Sequence, residues 1–163
     1  MQQWTLATGC EAETRQLGER LGRLLDGAAV LLLFGPLGAG KTVFAQGVAR
    51  GLGVPAEVPV CSPTYTLHQQ YRGRLVLNHY DLYRIGDVGE LAELGLDEFA
   101  HGDGVALIEW GERLGEAFFD HLAIRLERVS AEGRRLSLQA TGMHYQGLLA
   151  QLVRRWQGPD SVI

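Results

Sequence analysis

The run Gly35-Pro36-Leu37-Gly38-Ala39-Gly40-Lys41-Thr42 is the part of this chain whose residue types and spacing most directly imply chemistry. Two glycines with four residues between them, followed by lysine and threonine, form the phosphate-loop (Walker A) pattern. Glycines at Gly35, Gly38 and Gly40 let the backbone turn tightly and aim several N–H groups at phosphate oxygens. Lys41 would reach the β- and γ-phosphates of a nucleotide, and the Thr42 hydroxyl would ligate magnesium. A helix beginning near Lys41 would add the positive end of its macrodipole. Lys41 is also the chain's sole lysine, against 14 arginines. A lysine retained at the pattern's critical position alone is difficult to ascribe to chance.

A phosphate loop needs an acid to hold the metal, directly or through water, and strand ends are where such acids sit. Val105-Ala106-Leu107-Ile108-Glu109 is four apolar residues ending in a carboxylate, the Walker B pattern. The run from Leu75 to Asp81 also ends in an acid, but Asn78 and His79 interrupt it, as in an edge or half-exposed strand. Glu109 is therefore the metal-side acid; its plain alternative is an ion pair with an arginine. Asp81 is the candidate for orienting or deprotonating an attacking water near the γ-phosphate. Capping a turn that starts at Leu82-Tyr83-Arg84 would explain it equally well. Ser62-Pro63-Thr64 lies where many phosphate-loop enzymes sense the γ-phosphate, although these residues alone favour a proline turn entering a strand.

The elements that position these groups follow from pattern. Val30 to Phe34 is wholly apolar, as expected of a strand buried on both faces of a parallel sheet. Phe44, Ala45, Val48, Ala49 and Leu52 continue the loop into a helix closed by Gly53 and Pro55. Upstream, Thr8 and Glu11 have capping-box spacing ahead of a helix with Leu17, Leu21, Leu24 and Leu25 on one face, ending near Gly27 as a left-handed cap. Thr64–Tyr71 and Leu75–Asp81 read as a hairpin about Arg72-Gly73. Val105–Glu109 and Leu122–Arg128 are further strands, and Arg134–Ala140 pairs with the latter. Tyr145, Leu148, Leu149, Leu152, Val153 and Trp156 give a closing helix stopped by Gly158-Pro159. The fold class expected is α/β: a three-layer phosphate-loop NTPase-type domain with a mixed, largely parallel sheet flanked by helices.

With 163 residues and 46% hydrophobic content, the chain reads as one domain, 1–163, with a sizeable core. A net charge of −4 argues against broad nucleic-acid binding. Cys10 and Cys61 lack metal-type spacing and read as two buried or idle thiols of a reducing cytoplasm. The five histidines show no paired metal spacing either. No apolar run approaches membrane-spanning length, and the N-terminus lacks a basic-then-apolar signal, so a cytoplasmic protein is expected.

Five blocks in order resemble the bacterial TsaE (YjeE) family: the glycine-rich loop, Ser62-Pro63-Thr64-Tyr65-Thr66-Leu67, His79-Tyr80-Asp81-Leu82-Tyr83-Arg84, Gly95-Leu96-Asp97-Glu98, and Ile108-Glu109-Trp110. The likeness runs from about Thr8 to about Ala140. It implies a small ATPase needed to make threonylcarbamoyladenosine beside the anticodon of certain transfer RNAs. On that resemblance, Leu37, Gly38, Ala39, Gly40, Lys41 and Thr42 cradle the phosphates of ATP. Thr42 and Glu109 hold Mg2+, and Asp81 is an acid essential for turnover. Glu11 and the Gly133 turn fall near the nucleoside end, although Glu11 is equally explained as a capping residue. Trp110 matches the family's tryptophan beside the metal acid. The implied partners are TsaD and TsaB, with transfer RNA reached only through the complex, and neither membrane nor DNA involved. ATP turnover would reset that assembly between rounds.

A small-molecule kinase is the rival reading, with Arg72, Arg74, Arg84 and the Arg134-Arg135 pair as lid candidates. The common guanine-reading block needs a second lysine, so the ordinary GTP switch is excluded. A transporter-type ATPase would need its own glycine-rich signature after the loop, which this sequence lacks.

Overall fold

The computed structural model describes residues 1–85, 103–114 and 119–156. The Gly95–Glu98 block and the Gly158-Pro159 stop lie outside the described residues. In chain order the elements are β1 (Gln3–Thr8), α1 (Glu11–Leu24), β2 (Ala29–Phe34), α2 (Lys41–Gly51), β3 (His68–Arg72), β4 (Val76–Asp81), β5 (Val105–Glu109), β6 (His121–Arg128), β7 (Arg134–Thr141) and α3 (Met143–Arg155), with a short 3-10 turn at Gly111–Leu114.

The strands form a seven-stranded sheet in the order β1-β7-β6-β2-β5-β4-β3. Its four central strands, β6, β2, β5 and β4, run parallel. Antiparallel pairings finish both sides: β6 with β7, β7 with β1, and β4 with β3. This is the mixed α/β sheet expected, with its parallel part where the phosphate loop needs it. Alternation along β2 sends Leu31 and Leu33 into the larger apolar core, which also holds Leu17 and Leu21 of α1, Phe44 and Val48 of α2 and Leu149 of α3. Val30 and Leu32 point into a smaller cluster with Tyr80, Leu82, Ala106 and Ile108. β2 is therefore buried on both faces, as its unbroken apolar run requires.

Helices α1 and α2 pack backbone to backbone. Gly18 and Gly22 on α1 meet Gly47 and Gly51 on α2, each pair four residues apart and so on one helix face. A Cβ on Gly22 would lie 2.5 Å from the Val48 carbonyl oxygen, and one on Gly47 would overlap the Arg15 carbonyl. The far ends of the two helices are tied by Arg74, whose guanidinium donates to Leu25 O and Gly22 O at 2.6 Å each and to Gly51 O at 3.4 Å. This supplies partners for carbonyls that helix C-termini leave unpaired.

Several local expectations are corrected. The Thr8–Glu11 capping box does not form: Cys10 is the N-cap with no side-chain cap bond, and Thr8 ends β1 with its hydroxyl 2.7 Å from that of Thr14. Glu13 reaches back instead, accepting from Gly9 N–H at 2.5 Å. α1 stops at Leu24 with an extended Leu25 after it, so Gly27 is not a left-handed cap. The first hairpin strand begins at His68, because Thr64–Leu67 forms a turn closed by Leu67 N–H donating to Pro63 O at 2.7 Å. β4 is neither an edge nor half-exposed; it lies between β5 and β3 with Asn78, His79 and Asp81 buried. β1 was not among the strands expected, although Trp4 and Leu6 alternate with exposed Gln3, Thr5 and Ala7 and pack against the core.

Candidate functional site

The loop leaves the carboxyl end of β2 and delivers the chain to the N-terminus of α2. Gly35 takes φ +146° with its α-carbon pressed near the Leu126 carbonyl, and Gly40, the α2 N-cap, takes φ +104°. Side chains rarely tolerate either conformation, so the two framing glycines of the pattern are required by the backbone path itself. Lys41 opens α2 and is only 6% exposed. Its Nζ donates to the Gly35 carbonyl and, at 3.5 Å, to that of Pro36, and stands 3.6 Å from the centre of the Trp110 ring. Burial lowers the Lys41 pKa below the usual lysine value, opposed by the carboxylates of Glu109, Glu112 and Asp81. An ammonium against an aromatic face keeps part of the attraction it loses by leaving water.

The two acids are register partners. β4 and β5 run side by side with Asp81 opposite Glu109 and His79 opposite Leu107. Asp81 Oδ2 accepts from the Thr64 hydroxyl at 3.0 Å, and Oδ1 accepts from Tyr83 N–H at 2.9 Å. The capping alternative for Asp81 is thus partly realised, as a side chain closing the turn after β4. The Glu109 partner is not an arginine: Oε2 lies 2.7 Å from His79 Nε2, and both side chains are buried. Ser62 and Thr64 bridge the loop and the acids, for the Ser62 hydroxyl is hydrogen-bonded to that of Thr42 while Thr64 holds Asp81.

These groups converge on a cleft with a cavity volume of about 280 Å³. Leu37 through Thr42 line it, together with Ser62, Thr64, Asp81 and Glu109, and Glu11 with Thr14 from α1. Trp110 and Tyr83 add an aromatic wall, their rings 4.9 Å apart. Trp110 adopts φ +62°, a left-handed conformation uncommon outside glycine, and so turns its ring into the cleft directly after Glu109. Gly133 is not itself in the lining, whereas Glu132 and Arg134 on either side of it are. Gly35 likewise supports the loop from behind, its N–H donating to Glu112 at 3.3 Å.

Thr14 and His79 had no expected site role, and Arg134 was expected only as a kinase-lid candidate. Arg134, buried at the start of β7, donates to Gly38 O at 3.3 Å and to Gly133 O at 2.9 Å, fastening the loop to the sheet. Thr14 follows Glu11 on the same helix face. His79 precedes Asp81 by two residues, and the strand period alone puts them on one face. Neither cysteine is buried: Cys10 is partly exposed, Cys61 is exposed, and both are free.

A triphosphate and a hard cation fit this donor set. The loop presents its backbone to the cleft with a buried ammonium beside it, and Thr42 and Glu109 offer oxygen ligands of the kind magnesium takes. None of the described helices is long and apolar enough to cross a membrane.

Comparison with known proteins identifies the family and the fold. Residues 8–136 match the family described as threonylcarbamoyl adenosine biosynthesis protein TsaE. The chain is 42% identical over 123 residues to the tRNA threonylcarbamoyladenosine biosynthesis protein TsaE of Treponema pallidum, covering 76% of this chain and 90% of that protein. It is 39% identical over 144 residues to the Bacillus subtilis protein of the same name, covering 87% and 89%. The crystal structure of Bacillus subtilis YdiB superposes with a TM-score of 0.80 at 34% identity, over 93% of this chain and 95% of that one.

Proposed function

The chain belongs to the TsaE family of P-loop-type proteins in tRNA threonylcarbamoyladenosine biosynthesis, and we propose that it serves there as a cytoplasmic Mg-dependent ATPase. In this reading, binding and hydrolysis of ATP reset the assembly with TsaD and TsaB between rounds, and transfer RNA is met only through that complex. One observation carries the proposal: Asp81 and Glu109 are register partners on adjacent parallel strands, in one cleft with Lys41 and Thr42.

Each residue then has a distinct task. The loop N–H groups and Lys41 bind the β- and γ-phosphates, Lys41 turning from the carbonyls of Gly35 and Pro36 toward phosphate oxygens. Thr42 and Glu109 would hold magnesium, which would supply positive charge to offset that of the phosphates. Asp81 orients the attacking water or takes its proton, and Thr64 fixes the carboxylate that does so. Trp110 and Tyr83 exclude water from one side. Turnover by the isolated chain is slow, because Arg134, the arginine in the cleft lining, is already committed to the Gly38 and Gly133 carbonyls. Arg134 and Arg74 already donate to backbone carbonyls. The same engagement takes two arginines from a kinase lid, leaving that reading without a specific observation in its favour.

The test measures modified transfer RNA per TsaD molecule, with wild type or Lys41→Ala supplied beside TsaB. Many products with wild type and about one with the variant are expected. Equal yields well beyond one product per assembly would contradict the proposal and leave a scaffold in place of a motor. Appearance of phosphate on a metabolite instead of free phosphate would favour the kinase.

A further inference from the structure

Among the described residues, His79 makes a single side-chain hydrogen bond, and that bond has chemical consequence. Its ring is fully buried, with Nε2 2.7 Å from Glu109 Oε2, while Nδ1 has no hydrogen-bond partner among the described residues. An unpaired buried N–H costs more than an unpaired ring acceptor, so the favoured tautomer carries its proton on Nε2 and donates it to Glu109. The sheet fixes this geometry. Leu77 of β4 and Val105 and Leu107 of β5 all point into the larger core, on the face where α2 lies. By the strand period His79, Asp81 and Glu109 share that face, so the imidazole stands behind the carboxylate and the cleft in front of it.

Purely structural histidines do occur in cores, and such a residue would commonly satisfy both nitrogens. Here the only paired nitrogen is committed to the acid that faces the cleft. The contact engages one carboxylate oxygen and stops the side chain from rotating, which leaves Oε1 as the oxygen available to a ligand. Hydrogen bonds to metal-ligating carboxylates generally act this way, and their loss costs ~10–100-fold in metal affinity.

We propose that His79 is a positioning residue that holds the Glu109 carboxylate in the orientation in which its second oxygen meets magnesium bound with nucleotide. The inference rests on the assignment of Glu109 to the metal. Calorimetric titration with ATP, at a series of magnesium concentrations and again with a chelator present, tests both. In the wild type, magnesium should tighten ATP binding. His79→Leu should raise the magnesium concentration giving half of that tightening by ~10–100-fold, with binding in chelator unchanged. His79→Gln, which keeps an N–H near the position of Nε2, should recover most of the loss. His79→Asn, whose amide reaches only as far as Nδ1, should not. In a Glu109→Ala background the His79 substitutions should have no further effect on the magnesium midpoint.

If His79→Leu does not fold, the contrast between Gln and Asn carries the same information in folded protein. A lowered melting temperature with an unshifted magnesium midpoint, or Gln and Asn behaving alike, would overturn the positioning role. Absence of magnesium dependence in the wild type would overturn the metal assignment itself, a separate and recognisable failure.

Discussion

Where α1 packs on α2, a Cβ on Gly22 would lie 2.5 Å from a carbonyl oxygen of the other helix, whereas one on Gly38 in the phosphate loop would meet nothing within 4 Å. The four glycines of the helix seam have ordinary helical backbones, and are needed because the two helix backbones approach too closely for any side chain. Gly38 and Gly40 have room, and are needed because their φ values are +79° and +104°. Fit governs the first region and backbone conformation the second. The seam should therefore fail in stability and the loop in binding, although α2 belongs to both.

After Lys41, the acids behind the loop give the largest effect on function. Asp81→Ala should lower ATP turnover by ~10²–10³-fold with nucleotide binding largely intact, the signature of a contact made mainly in the transition state. Glu109→Ala should instead blunt the dependence of ATP affinity on magnesium. Steady-state phosphate release and titration on both variants check the division. Identical loss of metal-dependent binding in the two would remove it.

Breaking the seam comes next. Gly47→Ala drives a methyl into the Arg15 carbonyl, and should cost roughly 2–3 kcal/mol in urea unfolding, as overpacked interiors do. Little change would mean that α1 can shift away from α2 without loss. The smallest effect sharpens the contrast: Gly38→Ala should cost only about 1–2 kcal/mol, the strain of a left-handed alanine. ATP affinity should fall with it, since relief of that strain would turn loop N–H groups away. Unchanged affinity would show that the N–H at this position does not contribute.

The chemistry-bearing residues were legible because their patterns are local. The loop motif, the apolar β2 run and the Val105–Glu109 strand depend on neighbours in sequence, and each formed where expected. Contacts closed by the sheet were not legible. Asn78 and His79 made β4 read as an edge, but the polar groups are paired inside: Asn78 Oδ1 lies 3.1 Å from His68 Nε2 and 3.1 Å from Gln70 Nε2, and His79 binds Glu109. That pairing needs β4 beside β5, a neighbour relation that strand order decides and local pattern does not. The seam had a visible signal in the four-residue glycine spacing of both helices, whose meaning emerges only once the helices are placed together. Arg134 and Gly38 are far apart in sequence and meet only because β6 lies between β7 and β2.

Titration of Lys41→Ala with ATP and magnesium, read beside its phosphate release, tests the phosphate-site assignment most directly. The side chain touches the carbonyls of Gly35 and Pro36 and the Trp110 ring, so the fold should survive its removal, which a circular dichroism spectrum matching the wild type would check. Affinity is expected to fall by ~10²-fold or more and hydrolysis to vanish, because no second lysine exists to reach the phosphates. Near-normal affinity together with near-normal turnover in a folded variant would contradict it.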